Sequence, residues 1–299
     1  MSNKLKSVLI KRRQQIIERF DSKEAKEIVF VVEEQEFDEQ GRLVCLKKYS
    51  QPDELEEKTI KYYGGNIVTT EYYIDENDLS EKYVTETDGN GKIIKETMYY
   101  ADGTESVSEF EYVNDKPSKK ITVDIDDDEN EVSGIHSWIY DDFGNLIREE
   151  ENEYDEITFY REMKYDDKNR MTEETTFHIA DGRPSHENME WDNDKLSKLI
   201  KTDIYGNKSA SLYKYNANGE IESIQYLSKE HNSTTNFEYD SNNNPIHEKE
   251  VDDNQDVLYE VFREYDMGTK KLRKTETFIN RQGMGANVHY TLEYEYTYY

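Results

Sequence analysis

The stretch Tyr140-Asp141-Asp142-Phe143-Gly144-Asn145-Leu146 decides how this chain is read: an aromatic, an acidic turn with a glycine, then a leucine. The same order returns, in part or in full, from Tyr165, Trp191, Tyr215, Tyr239 and Tyr265. These leading aromatics stand 25, 26, 24, 24 and 26 residues apart. Earlier turns in the same register follow Phe37, Tyr63, Thr87 and Tyr112. A fixed period of that length is the signature of an array of small structural units. Asp, Asn and Gly gather at these points because their backbones accept the positive φ that tight hairpin turns require.

Working outward, a second and more variable turn lies between successive copies, as at Asp75-Glu76-Asn77-Asp78, Ala101-Asp102-Gly103, Asp126-Asp127-Asp128, Ala180-Asp181-Gly182, Tyr205-Gly206-Asn207 and Arg281-Gln282-Gly283. Each period therefore holds two strands of roughly nine residues joined as antiparallel hairpins. Alternation supports this: Ile157, Phe159, Met163 and Tyr165 share a face with Arg161 among them. In the last strand Val288, Tyr290, Leu292, Tyr294, Tyr296 and Tyr298 alternate with His289, Thr291, Glu293, Glu295 and Thr297. Roughly twenty strands would span about 95 Å if flat, and open twisted sheets of that width curl.

The expectation is an all-β fold: a long antiparallel β-meander of about ten hairpin repeats, curled like a β-solenoid into a single-layer coiled sheet. The tyrosine-rich last strand reads as a docked end or a binding edge, so the array is expected to stay open. Tyr290, Tyr294, Tyr296 and Tyr298 are accordingly the candidate binding residues.

Residues 1–26 read differently. Leu5, Leu9, Ile16 and Phe20 recur near helical spacing with Val8 and Ile17 beside them, while Lys6, Lys11, Arg12, Arg13 and Arg19 fill the other face. This predicts an N-terminal amphipathic helix over 1–26 that caps the first open edge of the 27–299 array. The segment carries +5, leaving −34 on the remainder.

With 34% hydrophobic and 35% charged residues the chain is unusually polar, yet 25 tyrosines, 10 phenylalanines and 2 tryptophans at regular positions argue for order. The net charge of −29 repels nucleic acid and anionic membranes and favours basic proteins as partners. A single cysteine, Cys45, excludes an internal disulfide, and its setting Leu43-Val44-Cys45-Leu46 suits a packed side chain. The apolar run Val8-Leu9-Ile10 is too short for an export signal or a membrane span, which makes a cytoplasmic chain the expectation.

No chemistry stands out. Asp124-Ile125-Asp126-Asp127-Asp128-Glu129 imitates the start of a calcium loop but has Glu129 where glycine belongs and Ile135 where the closing glutamate belongs. His136, His178, His186, His231, His247 and His289 lack metal-ligand spacing. Gly89-Asn90-Gly91-Lys92 lacks the phosphate-loop spacing, and no serine sits in a nucleophile elbow. The chain is read as non-enzymatic, without cofactor or metal.

The turn from Tyr140 to Leu146 resembles the YD repeats of the RHS family, whose pattern runs tyrosine, aspartate, two variable residues, glycine, asparagine or arginine, leucine. Glu162-Met163-Lys164-Tyr165-Asp166 resembles that family's entry into the next copy, and the similarity extends over about residues 37 to 285. The resemblance implies β-hairpin ribbons and a place in bacterial polymorphic toxin systems. In that setting the expected role is a protein-binding module, an acidic immunity-type partner of a basic toxin. The alternative is a carbohydrate or cell-surface module whose tyrosines stack on sugar rings.

Overall fold

The computed structural model describes residues 4–16, 26–125, 130–280 and 287–299. The second half of the expected helix (Ile17, Arg19, Phe20), the turn at Asp126-Asp127-Asp128 with its calcium-like loop, and the turn at Arg281-Gln282-Gly283 lie outside the described residues.

Among the described residues twenty-two strands form one sheet. The first six are β1 (Leu5–Ile16), β2 (Lys26–Phe37), β3 (Leu43–Gln51), β4 (Glu54–Gly64), β5 (Ile67–Tyr73) and β6 (Leu79–Thr87). Then come β7 (Ile93–Tyr100), β8 (Glu105–Val113), β9 (Lys116–Ile125), β10 (Asn130–Tyr140), β11 (Leu146–Glu153) and β12 (Glu156–Tyr165). The next are β13 (Met171–His178), β14 (Ser185–Asp192), β15 (Lys195–Thr202), β16 (Lys208–Tyr215) and β17 (Ile221–Ser228). The last are β18 (Asn232–Tyr239), β19 (Pro245–Asp252), β20 (Val257–Tyr265), β21 (Leu272–Ile279) and β22 (Val288–Tyr298). Among the described residues the sole helical element is a single 3-10 turn, Ile179–Asp181.

Every strand pairs antiparallel with its sequence neighbours, and β1 also pairs with β22 from Leu5↔Tyr298 to Gln14↔Tyr290. The sheet is a closed barrel. This corrects the open coiled array and the solenoid of about ten repeats: a ring has no free end to stack or cap. It also corrects the helix, because Leu5–Ile16 is the strand that closes the ring. The physical reason is common to both. Without β1 the ribbon would leave β2 and β22 with unpaired backbone groups along their whole length, and a strand satisfies both edges where a helix satisfies neither. The apolar spacing of Leu5, Leu9 and Ile16 fits a helix, but Val8, Ile10 and Arg12 also fit one face of a strand, and pairing on both sides decides between them.

The cytoplasmic expectation is overturned as well. No described helix is long and apolar enough to cross a membrane, which says nothing of strands. A closed antiparallel barrel with an even strand number is the strand architecture that does span membranes, so a missing apolar helix no longer argues for the cytoplasm.

The wall is thin. Buried hydrophobics among the described residues are Val8, Phe30, Met163, Val251 and Val261, with Val261 the most enclosed at 1% exposure. Threonine and serine fill much of the rest, as at Thr59, Thr70, Ser108, Ser233 and Thr277. The accessible surface is 19725 Å², against about 13,000 Å² for a compact monomer of 35.5 kDa. That excess fits a single-layer wall wetted on both sides. At ordinary spacing and tilt, 22 strands close at roughly 40–45 Å across.

One turn design recurs at hairpins of both rims. The Asp141 carboxylate accepts the N–H of Phe143 (2.9 Å) and of Asn145 (2.8 Å), while Gly144, at φ +84°, donates its N–H to the Asp141 carbonyl. Asp38, Asp88, Asp166, Asp203, Asp240 and Asp252 make the same pair of bonds to the second and fourth following residues. Beyond most of these turns the second strand carries one extra residue, so that Ile139 faces Arg148 while Tyr140 faces Leu146. Such bulges increase local twist and help a ribbon curve shut.

Candidate functional site

The leading aromatics line up at one rim. Tyr165 donates its hydroxyl to the Leu146 carbonyl at 2.9 Å, Tyr215 to Leu196 at 2.9 Å, Tyr239 to Ile221 at 2.9 Å and Tyr63 to Leu43 at 2.9 Å. Trp191 does the same with its indole N–H to Met171 at 2.8 Å. Each hairpin is thus latched to the one before it. The residue just before the accepting position is often basic and covers the ring: Arg42 over Tyr63 at 4.2 Å, Lys195 over Tyr215 at 4.7 Å, Arg170 over Trp191 at 5.5 Å. Exposed cation–π pairs contribute about 0.5–1 kcal/mol apiece, so the rim is chiefly structural.

The four sequence-selected tyrosines come together on one face of β22, at the seam. Tyr290 lies under the Arg12 guanidinium at 4.2 Å. Tyr294 faces Ile10 and Tyr296 faces Val8 across the β1 pairing. Tyr296 also donates its hydroxyl to the Leu272 carbonyl at 2.7 Å, and Lys271 stands 4.7 Å from the centres of both the Tyr296 and Tyr298 rings. Tyr294, Tyr296 and Tyr298 line a cavity of about 230 Å³ with Asp266, Thr269, Lys271 and Arg273. The edge of β22 that an open array would leave free is paired with β1 from Tyr290 to Tyr298.

The seam is an electrostatic joint. β1 carries Lys6, Lys11, Arg12 and Arg13 and no acidic residue. It lies between β2, with Glu27, Glu33, Glu34 and Glu36, and β22, with Glu293 and Glu295. Lys11 pairs with Glu295 at 2.6 Å, and Arg13 with Glu27 at 2.6 Å and Glu293 at 3.4 Å. Glu27 and Glu293 raise the Arg13 pKa, first through the hydrogen bond that the Arg13 guanidinium donates to Glu27. Sequence reasoning placed these cations on a helix. The signal it lacked was the partner: a basic run in a chain of −29 marks the place where acidic strands meet.

Charged residues sit at mid-strand on both faces. On the tyrosine face, Arg161 pairs with Glu149 at 2.8 Å, and Glu149 also meets His136 at 2.9 Å. On the other face, His247 lies between Glu238 at 3.2 Å and Glu260 at 3.0 Å, and Arg148 pairs with Glu150 at 2.5 Å. These are cross-strand neutralisations in a wet wall. Among the described residues no cluster of three or more His, Cys, Asp or Glu is arranged to hold a metal. Cys45 is half-buried and its thiol pKa is raised, first by burial and then by Glu36.

No protein-family model and no curated protein matches the chain. Solved structures similar to it include the TcdB2-TccC3-Cdc42 crystal structure, at 10% identity and TM-score 0.34 over 91% of this chain and 19% of that one. They also include a porin-like protein from Bacteroides uniformis, at 10% identity and TM-score 0.31 over 98% of both chains, and one from Bacteroides vulgatus, at 10% identity and TM-score 0.23 over 99% of both. The chain spans about a fifth of the TcdB2-TccC3 structures that it matches.

Proposed function

We propose that this barrel is a non-enzymatic module that binds an extended basic segment of a partner protein, in the manner of an immunity-type protein facing a basic toxin. The observation that carries the proposal is how the barrel holds its own basic strand. β1 is seated between acidic β2 and β22 by Lys11–Glu295 and Arg13–Glu27 pairs and by the Arg12–Tyr290 stack. The same chemistry, a field of −29 with aromatic rings beside carboxylates, suits any basic polypeptide and repels nucleic acid. A distant kinship of the Tyr140–Leu146 turn with the RHS family belongs to this proposal, and the tyrosine-aspartate-glycine order supports it.

The test is calorimetric titration of the full chain with a synthetic peptide of residues 4–16 and with its charge-reversed counterpart. Binding of the basic peptide that weakens steeply with salt supports the reading. Equal binding of both peptides, or of neither, overturns it.

A second reading has its own observation: the closed ring of 22 antiparallel strands is an architecture used for membrane-spanning barrels. It requires a lipid-facing band, yet Arg161 and Glu149 on one face and Arg148 and Glu150 on the other put charge at mid-strand whichever face is outward. An arginine or lysine at the bilayer midplane costs about 2–4 kcal/mol in such a barrel. Flotation of the chain with lipid vesicles favours this second reading; recovery in the unbound fraction removes it.

A further inference from the structure

At the rim opposite the tyrosine latches the sheet loosens. β13 and β14 stay paired only between Glu173↔Asn188 and Thr176↔Ser185, and the chain crosses between them through the 3-10 turn Ile179–Asp181. The adjoining ends of β14, β15, β16 and β17 surround a cavity of about 550 Å³. That volume falls within the range of small-molecule sites, roughly 300–1,000 Å³.

Its wall is built rather than accidental. Ser228 donates its hydroxyl to the His231 carbonyl at 2.7 Å and accepts the N–H of His231 at 3.1 Å, which fixes the β17–β18 loop. That loop sets the His231 ring beside Tyr226, with centres 5.2 Å apart. Across the cavity, Lys201 and Glu187 hold each other at 2.6 Å and present an amine and a carboxylate in fixed relation. Ser209, from the strand between them, adds a hydroxyl to the lining.

The charge balance is as informative as the shape. Three lysines and three carboxylates line the cavity, so with neutral histidines it carries no net charge, in a chain whose total is −29. A cation has a stronger field almost everywhere else on this surface, and a free anion must approach through a repulsive one. A neutral ligand meets neither effect. An aromatic platform flanked by hydroxyls, an amine and a carboxylate offers stacking to C–H faces and both donors and acceptors to hydroxyl groups.

We propose that this rim cavity, built on Tyr226, His231, Ser209 and the Lys201–Glu187 pair, is a binding site for a neutral polyhydroxylated ligand, a short oligosaccharide in chemical class. The site is separate from the β1–β22 seam and does not depend on recognition of a basic protein.

Saturation-transfer NMR on the full chain tests it with maltotriose, cellotriose and chitotriose, each at about 10 mM, and with trigalacturonate as the anionic comparison. At least one neutral trisaccharide is expected to receive transfer. Tyr226→Ala should weaken it at least about tenfold while Tyr226→Phe stays within about twofold, because the ring face carries the contact. Ser209→Trp, which fills the cavity, should abolish transfer with the melting temperature retained, and Tyr294→Ala at the seam should leave it unchanged. No transfer from any neutral trisaccharide overturns the assignment. So does binding that survives both Tyr226→Ala and Ser209→Trp, or stronger binding of trigalacturonate than of the neutral sugars.

Discussion

Asp166 shows how one carboxylate organises a turn. It accepts the N–H groups of Lys168 and Arg170 and both the Nε and Nη2 hydrogens of the Arg170 side chain. The Arg170 side chain first, then these backbone bonds, hold its pKa at about 2, below its ordinary 3.8. A carboxyl with a lowered folded pKa binds fewer protons folded than unfolded. Its stabilisation is therefore complete above an ordinary aspartate pKa and is lost as pH falls through about 2. Asp38, Asp88, Asp141, Asp203, Asp240 and Asp266 are lowered in the same direction. Thermal melts should thus hold level near neutrality and drop across the acid window below about pH 4. The gap between the wild type and Asp166→Ala should close at the acid end. Tyr165→Phe removes only the hydroxyl bond to Leu146 and should cost about 0.5–1.5 kcal/mol in a denaturant titration. Gly144→Ala forces a Cβ onto a backbone at φ +84° and against the Lys116 amine, at a cost of about 1–2 kcal/mol.

At the scale of elements, β1 decides whether the ribbon is a ring. Its backbone bonds are those of any strand, but its cations choose its neighbours. Lys11→Glu with Arg13→Glu replaces three attractions by repulsions from Glu295, Glu293 and Glu27. Exposed pairs contribute about 0.2–1 kcal/mol each, so the double variant should lose about 1–3 kcal/mol. Hydrogen exchange should report the loss first in the β1 and β22 amides, and about 1 M salt should narrow the difference from wild type. The strands between are locally determined: Phe159, Met163 and Tyr165 alternate in the sequence as they do in β12, and Asp141 to Asn145 turn where their residue types require. β1 is not so determined. Leu5, Leu9 and Ile16 satisfy a helical stripe as well as Val8 and Ile10 satisfy a strand face, and the choice lies with pairing on both sides, to β2 next in the chain and to β22 at its far end.

For the whole molecule, closure turns an acidic ribbon into a thin-walled ring with charged side chains on both faces. A compact chain of 299 residues has a radius of gyration of about 19 Å. A wall at roughly 20–22 Å from the axis cannot give less than about 20 Å, and with its height approaches about 23 Å. Small-angle scattering on the monomer should return the larger value and a pair-distance curve skewed to long vectors. A value near 19 Å would mean that the ring has collapsed onto itself.

The sequence by itself determined the strands that follow β1 and their turns. Period-two alternation and the aspartate clasp are local, acting within about five residues, so Tyr140 to Leu146 carries its own instruction. It also determined the acidity, a net charge of −29. The tertiary structure alone decided that β1 is a strand, that the tyrosines of β22 meet Arg12 and Lys271 at a seam, and that Tyr226 and His231 flank a neutral cavity. Each of these rests on which strands become neighbours. Ring closure sets that by summing small twists and bulges over 22 strands, a sum that no single stretch of residues contains.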